Sequence, residues 1–210
     1  MLKAKGYRMR RIYSITLIIG VTLLLGAFSG PVNARMTLPS DTPDSKIMYM
    51  HPKDIDPSLL PLDSIEDLHI TGTPRKVDIK TWQLEISGQM VKKPRSLSYQ
   101  DLLQMQMVRK KVILICPGFF VDYVEWEGVP LSTILEAAGV KGNYEKIIFR
   151  GLDGYSSSFS RDEVEHHLLF LALRVNGKTI PEEHGFPVRL VAEDILGGRW
   201  VKWLKSIEVK

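Results

Sequence analysis

From residue 82 onwards, the chain consists of short apolar runs separated by turns. Trp82–Ser87 alternates apolar and polar positions and stops at Gly88, which predicts a half-buried strand. Lys111–Cys116 ends in a run of Val, Ile and Leu and is followed at once by Pro117-Gly118, which predicts a buried strand that closes on a tight turn. This part of the chain therefore begins as a sheet.

The remaining pattern adds strands and short helices in irregular order. Further strands are predicted at Lys146–Arg150, Leu168–Val175, Pro187–Ala192 and Val201–Val209, with Asn176-Gly177 as a hairpin turn. Short helices are predicted within Ser96–Leu103, where Ser98 and Asp101 form a cap pair, and at Val129–Gly139 and Arg161–His167. Because no strand–helix–strand rhythm appears, we expect an α+β fold with mainly antiparallel sheets in a mixed arrangement.

The first 34 residues have the parts of an export signal. Basic residues crowd the start, an apolar stretch runs from Ile12 to Phe28, and Val32-Asn33-Ala34 is a small-x-small ending. We expect cleavage after Ala34, with a retained N-terminal membrane anchor as the alternative. Both place the rest of the chain outside the cytoplasmic membrane, in the periplasm or secreted.

Residues 35–75 are rich in Pro, Asp and Ser, which predicts a linker or an extended arm that wraps the domain at residues 76–210. A chain of 210 residues with 44% hydrophobic content supports one substantial core. The net charge of +4 is concentrated in the first eleven residues, so it gives no case for a nucleic-acid partner. Membrane contact is expected only through the N-terminal segment.

Cys116 is the only cysteine of the chain. An exported protein with one thiol forms no internal disulfide, so Cys116 is an inert core residue, a partner for another chain or a ligand. Zinc is disfavoured because no CxxC or HxxxH set accompanies it. As a ligand, it suits a metal whose other ligands come from a prosthetic group.

An ordered set of motifs resembles the molybdopterin-binding domain of the sulfite oxidase family, over roughly residues 75 to 210. That family also includes nitrate reductases and bacterial periplasmic methionine sulfoxide reductases. The motifs are Trp82-x-Leu-x-Ile-x-Gly88, Ser98-x-x-Asp-Leu-Leu103, Cys116, Trp126-x-Gly-Val-Pro-Leu131, Asp153-Gly-Tyr155, Asn176-Gly177, His184-Gly-Phe-Pro-Val-Arg189 and Val201-Lys-Trp-Leu204.

The resemblance implies a molybdenum-molybdopterin cofactor (Mo-MPT) bound to an oxidoreductase. In the family the cysteine at the strand end bonds molybdenum and the pterin dithiolene supplies further ligands, so Cys116 is the implied metal ligand and a catalytic residue. Tyr155 is the second implied catalytic residue. The strand would hold the sulfur rigidly while the Pro117-Gly118 turn leaves one side of it open.

The resemblance also implies a set of cofactor-binding residues. These are Asp153 at the amino edge of the pterin, His184 and Arg189 at the pterin and its phosphate, and Lys202 with its neighbours Trp200 and Val201. Each polar member has a structural alternative, Arg189 and Lys202 as surface charges and His184 and Asp153 as turn residues, and Trp200 is also a candidate core anchor.

The segment after the cysteine departs from the family pattern. Sulfite oxidases have Cys-Ala-Gly-Asn-Arg-Arg, whereas this chain has Cys116-Pro-Gly-Phe-Phe-Val121, and His69-Ile-Thr-Gly-Thr-Pro74 is no clear counterpart of the family's Arg-Asn-His element. The basic residues that help to hold sulfite or nitrate are therefore missing. A neutral or sulfoxide-like small-molecule substrate is expected instead.

Two functions follow for this exported domain. In the first, the protein transfers an oxygen atom to or from a small substrate. Because the sequence has no CxxCH haem motif, electrons would pass through a membrane haem protein or a cytochrome. In the second, the same fold is a non-catalytic binding or interaction module. The apolar segment from Phe119 to Trp126 would then be an exposed docking loop.

Overall fold

The strand patterns form three sheets in the computed structural model, which describes residues 34–140 and 142–210. The segment predicted as an export signal or anchor lies outside these residues, apart from Ala34. Within them, the strands are β1 (Met36–Thr37), β2 (Ile55–Asp56), β3 (Gln83–Ser87), β4 (Arg95–Ser98), β5 (Val108–Cys116), β6 (Phe120–Pro130), β7 (Lys146–Gly151), β8 (Ser156–Ser160), β9 (Leu169–Val175), β10 (Lys178–Thr179), β11 (Arg189–Ala192) and β12 (Leu204–Val209).

The helices are short and stand at the sheet ends. They are α1 (Asp44–Ile47), α2 (Tyr99–Leu103), α3 (Leu131–Ala137) and α4 (Arg161–His166), with single 3₁₀ turns at Pro52–Asp54, Glu182–His184 and Gly197–Arg199. The predicted α+β architecture is confirmed. Among the described residues, no helix has the length and apolarity needed to cross a bilayer.

Two five-stranded sheets enclose the main core. The first has the order β10-β9-β6-β5 with β11 also paired to β9, and all its pairs are antiparallel. The second has the order β4-β3-β12-β7-β8, in which only the β12–β3 pair is parallel. One large apolar cluster joins the inner faces of both sheets, so they fold as one unit.

The segment at 35–75 is an arm packed against the outer face of the β5–β6 hairpin. Its residues Leu38, Ile47 and Ile55 are fully buried and share a second apolar cluster with Ile113 and Ile115 of β5. The β1–β2 pair closes this arm on itself. The division of the chain at residue 75 stays a prediction.

The segment from Phe119 to Trp126 is not an exposed loop, and that prediction was wrong. Most of it is β6, which is buried on both faces because the arm covers one and the core covers the other. A strand buried on both faces has no apolar–polar alternation, which is why the pattern was missed. Only Phe119, in the turn, is largely exposed, at 78%.

Two further elements differ slightly in their bounds from the prediction, each for a local reason. The predicted helix in Ser96–Leu103 divides at Ser98, which ends β4 and caps α2: Asp101 N donates to Ser98 Oγ at 3.2 Å, and Ser98 N donates to the Asp101 carboxylate at 2.8 Å. The last strand begins at Leu204 rather than Val201, because Trp203 has a left-handed φ of 48°.

Candidate functional site

The β5–β6 hairpin places Cys116 at the edge of an open cavity. Cys116 pairs with Phe120 and Leu114 pairs with Asp122, so these four side chains share the face directed at the main core. The turn between them is closed by Phe119 N donating to Cys116 O at 2.9 Å, with Gly118 at a φ of 75°. The cavity that they line has a volume of about 290 Å³.

The Cys116 thiol is half-buried in this position. Burial, and after it the nearby Asp122 carboxylate, raises the pKa of the thiol. At neutral pH the cysteine is therefore a protonated thiol, and a metal ion bound to its sulfur would favour the thiolate.

Arg189 is a buried cation without a counter-ion. It is only 5% exposed, and its guanidinium contacts the rings of both Trp126 and Trp200, at 4.7 and 5.4 Å from their centroids. Nη1 donates to His184 O at 3.1 Å, whereas Nε has no partner. Among the described residues, no carboxylate lies within ion-pair distance of it. Desolvation lowers the pKa of Arg189 to about 10.

Lys202 is a second, half-buried cation in the same cavity. Its Nζ donates to Thr71 O and Glu183 O, each at 2.9 Å, and leaves one proton for a ligand. Burial, followed by the charge of Arg189, lowers the pKa of Lys202 to about 8. Gly185 has a φ of 113°, and a Cβ at this position would stand 3.1 Å from the Cβ atoms of Arg189 and Lys202. Because glycine has no side chain, it leaves room for both basic residues to pack against its backbone.

Two of the predicted cofactor residues do not line the cavity. His184 is buried beneath it, and burial, then Lys202 and Arg189, lower the pKa of its imidazole. Its carbonyl supports Arg189. The Val201 side chain is fully buried in the main core, so any contact of Val201 with a ligand would come from its backbone. Trp200 lines the cavity and is also a core residue.

Asp153 and Tyr155 form another part of the cavity wall. The Asp153 carboxylate accepts a hydrogen bond from Tyr155 N at 3.0 Å, which shapes the turn, and both side chains line the cavity. The Tyr155 hydroxyl donates to Gly198 O. The structure thus brings together six predicted residues, namely Cys116, Asp153, Tyr155, Arg189, Trp200 and Lys202.

The glycine turn at 197–199 lies against the strand that ends in Cys116. A Cβ on Gly197 would stand 2.6 Å from Leu114 Cδ2, so a side chain there would force Leu114 to shift, whereas a Cβ on Gly198 would meet open space. Arg199 Nη1 fixes the turn through Glu163 Oε1 at 2.6 Å, and this hydrogen bond lowers the pKa of Glu163 to about 2. The turn is therefore held in place from outside the cavity.

The sequence reasoning missed several residues of the cavity. They are His69, Thr71 and Gly72 at the end of the arm, Leu114, Phe120 and Asp122 on the hairpin, and Trp203. Asp122 could have been found if β6 had been recognised, because a six-residue separation across a tight hairpin puts it on the face of Cys116. The arm residues carry no local signal, because only the fold returns them to the cavity.

Comparison with known proteins identifies the family. The family model described as "Oxidoreductase molybdopterin binding domain" matches residues 70–210. This chain belongs to that family. It is a molybdopterin-binding oxidoreductase domain, and the molybdenum cofactor predicted from the motifs is the cofactor of the family.

Three relatives illustrate the range of the family. The chain is 30% identical to the uncharacterized oxidoreductase YuiH of Bacillus subtilis, covering 67% of this chain and 71% of YuiH. It is 30% identical to a Brassica napus NADH nitrate reductase over 66% of this chain, but spans only 19% of that protein. The structure of the sulfane dehydrogenase SoxCD from Paracoccus pantotrophus matches 69% of this chain and 45% of that chain, with 26% identity and a TM-score of 0.60.

The residues present fit this cofactor. Arg189 and Lys202 supply free donors and uncompensated positive charge, as a buried phosphate requires. Cys116 is a soft ligand in the same cavity. No group of three His, Cys, Asp or Glu side chains in the described ranges could hold a metal ion, so a metal at Cys116 needs further ligands from an organic group.

The depressed pKa of Lys202 predicts a pH dependence of stability in cofactor-free protein. The unfolded chain binds this proton with a pKa near 10.5 and the folded chain with a pKa of about 8. Because the unfolded state holds more protons between these values, Lys202 costs stability below pH 8, and the cost disappears as the pH rises. We expect Lys202→Met to raise the free energy of unfolding at pH 7 and to lose most of this advantage by pH 10, as measured by urea denaturation.

The exposed Lys205 on β12 provides the matched control, since Lys205→Met should leave the pH dependence as in the wild type. An equal effect of Lys202→Met at pH 7 and pH 10 would contradict the prediction.

Proposed function

We propose that this chain is an extracytoplasmic molybdenum-cofactor-dependent oxidoreductase in which Cys116 ligates the metal. One observation carries the proposal: the only thiol of the chain lines a cavity that also contains the buried Arg189 and the half-buried Lys202, neither of which has a carboxylate partner among the described residues. When bound, the cofactor supplies two-electron redox chemistry coupled to transfer of an oxygen atom to or from a small substrate.

Different side chains of the cavity would bind different parts of the cofactor. Arg189 and Lys202, which both line the cavity, would hold the phosphate of the cofactor through their positive charge, and Lys202 would donate its remaining proton. Asp153 is the carboxylate placed to accept from the amino edge of the pterin, and its turn is already fixed by Tyr155 N. Cys116 would ligate the metal from the strand end, and Gly198 lines the same cavity without a side chain to fill it.

The substrate is a small neutral molecule such as a sulfoxide, rather than sulfite or nitrate. The side chains that share the face of Cys116 on the hairpin are Leu114, Phe120 and Asp122, which provide apolar surface and a negative charge. An oxyanion close to Cys116 would lie near the Asp122 carboxylate, and the cations of the cavity are engaged by the phosphate. Nitrate is in the name of one relative, but this chain spans a small part of it.

Electrons pass to or from a separate protein, a membrane haem protein or a cytochrome. The single cysteine of the chain excludes a CxxCH haem attachment. The export-type segment at 1–34 supports a location outside the cytoplasmic membrane. The alternative of a non-catalytic docking module loses its main support, because the segment that suggested a docking loop is the buried strand β6.

Substitution of the proposed metal ligand tests this function directly. Protein from a cofactor-competent host should contain about one molybdenum per chain, and Cys116→Ser should contain almost none because a serine hydroxyl is a poor ligand for a soft metal. Metal analysis by mass spectrometry measures this, with Tyr155→Phe as a control that should retain the metal. Stoichiometric molybdenum in the serine variant would refute the ligand assignment.

The substrate class is tested with the loaded wild-type protein. In a redox-dye assay of sulfoxides, N-oxides, sulfite and nitrate, we expect turnover with a neutral substrate and negligible sulfite oxidation. Turnover of sulfite comparable to that of the best sulfoxide would contradict the proposed neutral substrate. The assignment of Cys116 as the metal ligand would not be affected by that result.

Export predicts the start of the mature protein. N-terminal sequencing of protein recovered from outside the cytoplasmic membrane should begin at Arg35, and retention of residues 1–34 in the membrane fraction would instead support the anchor. Recovery of the protein only from the cytoplasm would contradict the proposed location.

A further inference from the structure

We propose that His69 and Asp122 form the proton-transfer unit of this site, in which Nε2 of His69 accepts and releases the transferred proton and Asp122 orients the ring. This inference rests on the proposed function and deepens it, because it assigns a catalytic role to His69 and a positioning role to Asp122, two residues outside the motifs of the family resemblance. It explains why a histidine from the arm and a buried carboxylate from β6 meet at the cavity of Cys116.

The ring of His69 is fixed from two sides. Its Nδ1 lies 2.8 Å from Asp122 Oδ1, and its backbone N–H donates to the same oxygen at 3.1 Å. The ring stacks on Phe120 with centroids 4.6 Å apart and planes inclined by 13°. Phe120 and Asp122, which fix the ring, both lie on β6 of the β5–β6 hairpin, and Asp122 is only 6% exposed. Both contacts of the ring are therefore made with the hairpin.

This arrangement determines which nitrogen is available. The carboxylate accepts at Nδ1, so that nitrogen carries the proton and Nε2 has the lone pair of the neutral ring. In the described part of the chain, Nε2 has no hydrogen-bond partner, and the His69 side chain is 48% exposed where it lines the cavity. A histidine held in this way can take a proton from solvent and release it inside the cavity.

Asp122 has the environment expected of an orienting carboxylate. It is buried, and within the described ranges no lysine or arginine forms an ion pair with it. The arm is held by its buried apolar residues and by the His69 backbone N–H that donates to Asp122, so the ring contact is not needed for attachment. The paired carboxylate instead balances the positive charge that the ring carries while it holds a second proton.

The proposed chemistry has a proton balance that requires such a group. Reduction of a sulfoxide or N-oxide takes two electrons from the redox partner and two protons from solvent, and it yields the deoxygenated product and water. In each transfer the Nε2–H bond of His69 breaks as an O–H bond of that water forms, and solvent then returns a proton to Nε2. In the oxidative direction the same steps run in reverse.

Kinetics of the loaded enzyme test the catalytic role. We expect His69→Gln to retain molybdenum and KM but to lose about 10²- to 10⁴-fold in kcat, the range typical of a lost general acid or base. Added imidazole should restore part of the activity of His69→Ala. The control is His166→Gln, which should leave kcat unchanged. This substitution removes an exposed histidine on α4 whose Nδ1 lies 3.2 Å from Asp162 Oδ1.

Spectroscopy tests the orientation independently of turnover. In ¹⁵N NMR of the histidine-labelled holoprotein, the neutral ring of His69 should have its proton on Nδ1, and Asp122→Asn should shift the population towards the other tautomer. Asp122→Asn should also lower kcat while the metal content is preserved.

Three results would overturn the proposal. They are an unchanged kcat in His69→Gln, loss of molybdenum on substitution of His69, which would make it a cofactor-binding residue, and a His69 proton on Nε2 in the wild type. Failure of the proposed function itself would be separate, since it would appear as a wild-type protein without molybdenum or without turnover.

Discussion

The guanidinium of Arg189 packs against two indole rings, with one protein hydrogen bond and no carboxylate within ion-pair distance among the described residues. Desolvation of a charge in this way costs several kcal/mol unless another charge compensates it. Lys202 adds a second cation to the same cavity. The cavity therefore holds uncompensated positive charge, which an anionic ligand would neutralise. The phosphate of the family cofactor would supply the negative charge and the hydrogen-bond acceptors.

The neighbouring backbone is arranged around this pair. The left-handed Gly185 brings Arg189 and Lys202 together, and the turn at Gly197–Arg199 packs on Leu114 beside Cys116. Arg199 and Glu163 hold that turn from outside. The positions of thiol and cations are thus set by strands and anchored turns, as expected for a site in which the protein supplies position and the cofactor supplies the chemistry.

The arm has a role that its composition does not suggest. Its apolar residues cover the outer face of the β5–β6 hairpin, and its end brings His69 and Thr71 to the cavity. Thr71 accepts from Lys202, and His69 pairs with Asp122. Packing of the arm and formation of the cavity are consequently coupled, because the same hairpin carries the contacts of both.

By itself, the sequence determined the α+β class, the strand that ends on Cys116 and the family of the domain, because local periodicity, turn residues and ordered motifs are properties of neighbouring positions. It could not determine β6, since burial on both faces removes the alternation that marks a strand. Nor could it place Val201 in the core or bring His69 to Asp122, 53 residues away. Those outcomes depend on which faces the sheets and the arm cover, and only tertiary packing decides that.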